Sequence, residues 1–509
     1  MLGSPLVIRV GDACSHEPAA PFSTTGWQSI ILRPPCRRES AAGLLSGLRP
    51  PLDGLSRRPG GPAAICLAAS GLAFVLIAGT LLQRSAALQV PAYDTAFFEQ
   101  LVWNLGHGRG LSSGFFPGSF LGLHFSTLLV LPAALQLAWP DARLLALLHA
   151  ASLAASAPAA YLLLRALLAD RPGAAVAAAA LAAPLPLWLG LQQAARAGFH
   201  PEALALPLVM VAGWAGLRGR GLVCWGTALV ALCAKEDQAY AVAVIGLVLA
   251  VHGPSRRQGI ALAILAIAWG AALELAVMPR LRGSVASDVE SYYSWLQHPT
   301  LAELTAAVTR PAGWLALAAM VAAMAGLPLL RPAWLALAVP PLLGDLLSAH
   351  APQAELHLQY ALPLILPVLV AGGLGARRLL DRRRPAAALT ALALPAVVIG
   401  VAFGPLIGER PPAGEPALDR LRACTSLLPA AAPIAVDDAT AAPLAARPVE
   451  RPLTYSRPSD WIVVDREGAL PAYVNSPARA RHLAALRGEG RRLYCDDGRF
   501  QLWGPAAGG

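Results

Sequence analysis

Long runs of alanine, leucine and valine recur through this chain, and many reach the roughly 20 residues a helix needs to cross a hydrocarbon core. No other feature constrains the fold as tightly. In lipid a backbone must satisfy its own hydrogen bonds, which leaves helices or closed barrels. The runs are continuous rather than alternating, and that selects helices. Only 14% of the 509 residues are charged, against about a quarter in a soluble domain. The expected fold class is an all-α polytopic membrane protein of about eleven transmembrane helices, with a small C-terminal α/β domain.

Apolar runs lie at about 61–82, 119–139, 143–166, 172–191, 201–217, 221–233, 236–251, 257–278, 311–329, 332–349, 359–375 and 386–408. Residues 1–60, rich in Pro, Gly, Ser and Arg, are expected as a disordered cytoplasmic tail. A polytopic domain is expected over 61–408, with a large first external loop at 83–142. The remaining 409–509 change character: PIAVDD, WIVVD, RRLYCDD and RFQLW read as strands, ATAAPLAA and SPARARHLAALR as helices. That is an appended α/β domain.

Arginine sets the orientation, because short cytoplasmic loops collect it. Arg165, Arg171, Arg218, Arg220, Arg256, Arg257, Arg331 and the run Arg377–Arg384 fall at segment junctions. Placing them inside closes the parity from 143 onward, provided 221–251 is a hairpin of two short helices. Segment 119–139 is the misfit, since a full span there inverts everything after it. It is expected to be re-entrant or to lie at the interface within the first external loop. The N-terminus is then cytoplasmic and the C-terminal domain extracytoplasmic, in the cell membrane. The excess of 40 Lys+Arg over 30 Asp+Glu is almost entirely Arg. No basic and aromatic stripe of the kind that grips nucleic acid is present, so no nucleic-acid partner is expected; the partner is the bilayer.

This topology gathers the unusual residues on the outer face. After the first run comes VPAYDTAFFEQLVWNLGHGRGLSS, with Asp94 and Glu99 opening an amphipathic segment and His107 and Arg109 in a polar turn; His124 follows in LHFS. The plain alternative is a solvated helix capped by Asp94. ARAGFHPEAL brings Arg196, His200 and Glu202 to a span end, or simply caps it. CAKEDQAY sets Lys235, Glu236 and Asp237 between two apolar runs. Such charges are costly in a membrane and need partners, and a local ion pair is the plainer account. SAHAPQAELHLQYALPLILP carries His350, Glu355, His357, Gln359 and Tyr360. Tyr292, Tyr293 and Trp295 in SYYSW are expected as interfacial belt residues. Arg, Lys and His facing Asp and Glu suit a phosphate-bearing or anionic lipid-linked ligand, and a carboxylate beside them suits a general base or a divalent cation. Cys66, Cys224 and Cys233 are expected as packing residues, while Cys424 and Cys495 are permitted, though not required, to pair outside the cell.

The ordered set YDTAFFEQLVWNLGHGRGL, LHFSTLLVLP, GFHPEALALPL, AKEDQAYAVAVIGLVLA and HLQYALPLILP resembles a family of uncharacterised prokaryotic membrane proteins, domain-of-unknown-function family 2079, over about 80–375. That family is similar in turn to the GT-C superfamily of lipid-linked-sugar glycosyltransferases. The resemblance implies a catalytic acid in the first external loop, and Asp94 stands there. GT-C loops often carry paired acids, whereas Tyr93 and Thr95 flank a single Asp94. Catalysis is therefore an analogy, since fold does not imply function.

Two functions follow as expectations. A glycosyltransferase would take a polyprenyl-phosphate sugar, with Asp94 as base and Glu99, His107, Arg109, His124, Arg196, His200, Glu202, Lys235, His357 and Tyr360 around the substrate. Glu236 and Asp237, with Glu99 as a further candidate, would hold a divalent cation. A transporter or flippase for a lipid-linked or anionic substrate would use the Lys235–Asp237 break as its site. A non-catalytic scaffold presenting the α/β domain is the third reading.

Overall fold

In the computed structural model every expected apolar segment from 61 to 408, apart from 119–139, becomes a helix. The described residues are 60–506 without 91, 170, 284, 286, 383–385, 408–416 and 468–476. The expected tail, with Arg57, Arg58, Cys14 and Cys36, lies outside them. The apolar helices are α1 (Gly61–Ala86), α2 (Arg143–Leu168), α3 (Ala174–Ala197), α4 (Pro201–Leu217), α5 (Gly221–Leu232), α6 (Gln238–His252), α7 (Arg256–Arg282), α8 (Leu301–Ala323), α9 (Pro332–Leu346), α10 (Ala351–Leu380) and α11 (Ala388–Phe403). Of these, α1, α2, α3, α7, α8 and α10 are long and apolar enough to cross a membrane.

Segment 119–139 breaks into Phe120–Leu123 and Thr127–Gln136. Ten helical residues rise only about 15 Å, half the hydrocarbon thickness.

Leucine and alanine faces of α2, α4, α6 and α10 meet in one continuous core. With lipid outside, packing and not water exclusion holds such helices together, so small residues sit where they touch. A Cβ on Gly246 of α6 would stand 2.5 Å from the Ala263 nitrogen of α7, and one on Gly259 only 2.1 Å from that of Ala250. These two glycines set how closely α6 and α7 approach. Exposed apolar side chains such as Val75 on α1, Ile264 on α7 and Val398 on α11 form the lipid-facing surface.

The C-terminal residues form a five-stranded sheet of order β2-β1-β3-β5-β4. Its strands are β1 (Ile434–Val436), β2 (Glu450–Pro452), β3 (Trp461–Asp465), β4 (Leu493–Asp496) and β5 (Phe500–Trp503). β1 pairs in parallel with β2 and β3, in register Ile434↔Trp461, and β5 runs antiparallel to β3 and β4, in register Val463↔Leu502. The helix Asp438–Leu444 makes the crossover from β1 to β2. β1, β3, β4 and β5 are the strands read from the sequence; β2, whose three residues are Glu, Arg and Pro, carries no alternation and is added by pairing. Cys424 and Cys495 are joined in a disulfide, while Cys66 and Cys224 are free and buried, as expected of packing residues.

Phe97, Phe98, Phe115, Phe120 and Leu129 of the first loop share one hydrophobic core with Leu421, Ile434, Val463 and Phe500 of the sheet domain. Asn104 Nδ2 donates to the Pro448 carbonyl at 3.2 Å, and a Cβ on Gly114 would stand 2.1 Å from the Glu450 carbonyl. The loop is thereby held against the domain and brings the sequence after α1 to the ends of α4, α6 and α10.

Candidate functional site

At those helix ends lies a cavity of about 600 Å³, within the usual range for small-ligand sites. Its walls come from the turn after α1, the 115–126 stretch, the start of α4, the α5–α6 turn, the loop before α8 and the start of α10. Each of these places interrupts regular backbone, which is where a membrane protein can afford polar side chains.

Asp94 sits in the π-helical turn Ala92–Ala96 at the cavity wall, about a quarter exposed. Its Oδ1 stands 3.5 Å from His200 Nε2. Gly198 makes this meeting feasible, because it adopts φ +88° and a Cβ there would be 2.7 Å from Thr95 Oγ1. Burial raises the Asp94 carboxyl above its ordinary range, and Glu202 adds to the rise; His200, His350 and Arg84 oppose it.

Lys235 lies between two carboxylates, 3.1 Å from Glu202 Oε1 and 3.3 Å from Asp237 Oδ2. The local ion pair and the cavity role are therefore the same arrangement. Glu236 accepts from the Phe125 backbone at 2.9 Å and lies 3.0 Å from His124 Nδ1. The Leu128 nitrogen donates to the Cys233 carbonyl at 2.8 Å. The misfit segment is thus fastened to the tip of the α5–α6 hairpin, and the costly charges there gain their partners.

The cavity collects Asp94, His124, His200, Glu202, Lys235, Glu236, Asp237 and Tyr360 from the expected site. The other expected residues lie elsewhere. Glu99 is fully buried between the loop and the sheet domain, where it accepts from Gln136 Nε2; burial, with Asp141 adding, pushes its carboxyl up to about 8. His107 stacks on Trp103 at 3.9 Å and Arg109 lies over the same ring, both on the surface. Arg196 lines a separate crevice with Arg84, Thr95 and Gly198, and its carbonyl accepts from Arg84. His357 pairs with Glu355 at 3.6 Å, both half exposed. Arg196, expected around the substrate, does not line this cavity.

The expected divalent-cation site is also not formed. Among the described residues no three His, Cys, Asp or Glu side chains converge as a metal site requires. Glu236 is held by His124 and Phe125, Glu99 lies away from the cavity, and the Lys235 ammonium occupies the place between Glu202 and Asp237 that a cation would take.

The aromatics of the loop before α8 correct a second expectation. Tyr292 and Tyr293, read as belt residues, line the cavity together with His350, Gln353 and Gln359. Two neighbouring polar clusters, SYYSW and SAHAPQ, were the only signal of this. They meet because the loop folds back, with the Ala349 nitrogen donating to the Tyr292 carbonyl at 2.9 Å.

Residues 84–412 match the model of a family described as "Predicted membrane protein (DUF2079)". The chain belongs to that family. The match includes every cavity residue. No curated protein matches the chain. Among solved structures it is similar to ArnT from Cupriavidus metallidurans bound to undecaprenyl phosphate, at 13% identity over 86% of this chain and 99% of that one, with a TM-score of 0.48. The apo structure of the same protein aligns at 12% identity over 86% and 98%, with a TM-score of 0.46.

Proposed function

We propose that this protein is a GT-C-like membrane glycosyltransferase that moves a sugar from a polyprenyl-phosphate donor to an acceptor hydroxyl at the outer face of the cell membrane. The observation that carries the reading is Asp94. It belongs to the loop directly after α1, lines the 600 Å³ cavity and is faced by His200. A carboxylate whose proton affinity is raised by burial is a better base than one in water.

Asp94 takes the proton of the acceptor hydroxyl. The freed oxygen bonds to the anomeric carbon as that carbon's bond to the phosphate oxygen breaks. Polyprenyl phosphate leaves with the electron pair, and in-line displacement inverts the sugar carbon. His200 orients the Asp94 carboxylate. Lys235, the formal cation of the cavity wall among the described residues, faces the leaving phosphate. No step is routed through a metal. The arginine-bearing junctions support an orientation with the N-terminus inside and the cavity and sheet domain outside.

The transporter reading needs its charges at the bilayer midplane, and these cavity residues come from helix ends and turns. The test is transfer of labelled sugar from a polyprenyl-phosphate donor in proteoliposomes, with Ser112→Cys and Ser459→Cys labelled by impermeant reagents and Arg220→Cys protected. Labelled sugar reaching the far side of the membrane still attached to its lipid, with no transfer, would establish a flippase in place of this reading.

A further inference from the structure

Two unlike groups of side chains line the cavity. The first is charged: Asp94, Glu202, Glu236 and Asp237 against Lys235, with histidines beside them. The second is aromatic and amide. The Tyr292 ring stacks on His350 at 4.8 Å and 14°, and His350 meets Tyr360 edge-on at 5.9 Å. This shelf is fixed from behind. Tyr293 donates its hydroxyl to the Gly344 carbonyl and accepts from Gln353 Nε2, both at 3.0 Å, and Trp295 Nε1 donates to the Leu347 carbonyl at 3.0 Å.

In the wall of the same cavity, Gln359, next to Tyr360 in the chain, and Ser126 are buried polar side chains that do not use all their hydrogen-bonding capacity. Gln359 Oε1 and the Ser126 hydroxyl have no hydrogen-bond partner among the described residues. A buried polar atom left unpaired is costly, and it becomes an asset when a ligand supplies the partner. A flat aromatic face next to unpaired acceptors and hydroxyls matches a sugar ring, which offers an apolar C–H face and hydroxyls at its edge.

The charged group limits which sugar. Four carboxylates stand around this cavity against one ammonium, and that ammonium is already shared by two of them. With the donor phosphate taking Lys235, a second negative charge, on the ring, would face like charges in a weakly screened space. A hydroxyl or an amine would not.

Resting on the glycosyltransferase reading, we propose that the Tyr292–His350–Tyr360 shelf, with Gln359 and Ser126, holds the ring of the transferred sugar, and that this sugar carries no negative charge. The ring lies with its C–H face on the aromatics and its edge hydroxyls on Gln359 and Ser126.

The experiment uses the full chain in phosphatidylcholine nanodiscs and three probes: methyl β-glucoside, the methyl glycoside of glucosamine, and the methyl glycoside of glucuronic acid. Binding is read by saturation-transfer NMR. The first two bind, and the glucuronide binds at least tenfold more weakly. Gln359→Leu and Tyr292→Ala each weaken glucoside binding at least fivefold in protein that elutes as a single species, while Tyr292→Phe keeps it. Glucuronide binding as tight as glucoside overturns the proposal, as does binding of none of the three or indifference to both Gln359→Leu and Tyr292→Ala. Because no transfer is measured, sugar binding with no transfer in any assay removes the glycosyltransferase reading alone, and transfer without shelf-dependent binding removes this proposal alone.

Discussion

Glu99→Gln should make the protein more stable, and by an amount that grows with pH. Glu99 is fully buried where the first loop meets the sheet domain, beside Gln136, and Glu450 is fully buried in the same region. Burial holds the Glu450 carboxyl well above its ordinary range; Arg447 opposes the rise and Glu99 adds to it. For Glu99, burial and then Asp141 take the carboxyl from 4.5 to about 8. Below pH 4.5 both folded and unfolded chains carry the proton, and the fold loses nothing. Between 4.5 and 8 the unfolded chain releases a proton that the fold retains, so stability falls as pH rises through that window. The full difference corresponds to roughly 4–5 kcal/mol, an upper figure because the loop can relax. Glutamine keeps the shape, still accepts from Gln136 and has nothing to ionise. Thermal unfolding of the purified protein, followed by tryptophan fluorescence from pH 5 to pH 9, should show wild type and Glu99→Gln together at the acid end. The variant should be ahead by about 2–4 kcal/mol at the alkaline end. A variant that melts lower at every pH, or a gap that does not widen, refutes the burial reasoning.

Lys235→Met should destabilise the fold by about 3 kcal/mol, since it strands the buried Glu202 without its cation; adding Glu202→Gln should recover part of the loss in the same melts. Gly259→Val should drive α6 and α7 apart, because even a Cβ there meets the Ala250 nitrogen at 2.1 Å; size-exclusion profiles should show aggregate where Ser112→Ala shows none. Reducing the Cys424–Cys495 link, which closes a separation of 71 residues, should cost the sheet domain about 4 kcal/mol by chain entropy, read as earlier protection loss of β5 amides in hydrogen exchange. Transfer should fail on the acid side as Asp94 takes up its proton, at a pH above the ordinary aspartate range because burial raises this carboxyl; a pH profile flat down to pH 4 contradicts the base role.

The helices were legible because lipid favours unbroken apolar runs: six of α1 to α11 are long enough to span, and the other five are shorter apolar helices. Segment 119–139 stood apart in the sequence because a full span there conflicts with the arginine parity, and its helix Thr127–Gln136 is short. Asp94, His200, Glu202 and Lys235 line one cavity, each being a polar residue at a helix end or turn, which is the kind of place the sequence marks by a break in its apolar runs. Glu99 misled because an amphipathic helix shows which side is polar but not what covers it, and here the sheet domain does. Tyr292 and Tyr293 misled because belt aromatics and cavity aromatics are the same residues; only the fold-back onto Ala349 separates them. β2 is a product of pairing with β1, and its three residues carry no local strand signal.

The measurement that tests the central claim most directly is release of polyprenyl phosphate from a polyprenyl-phosphate sugar by reconstituted protein, wild type against Asp94→Asn. The amide keeps the shape of the turn and removes the base, so the account predicts loss of at least 100-fold in release with an unchanged elution profile and melting temperature. Asp94→Asn protein that releases polyprenyl phosphate at the wild-type rate contradicts it.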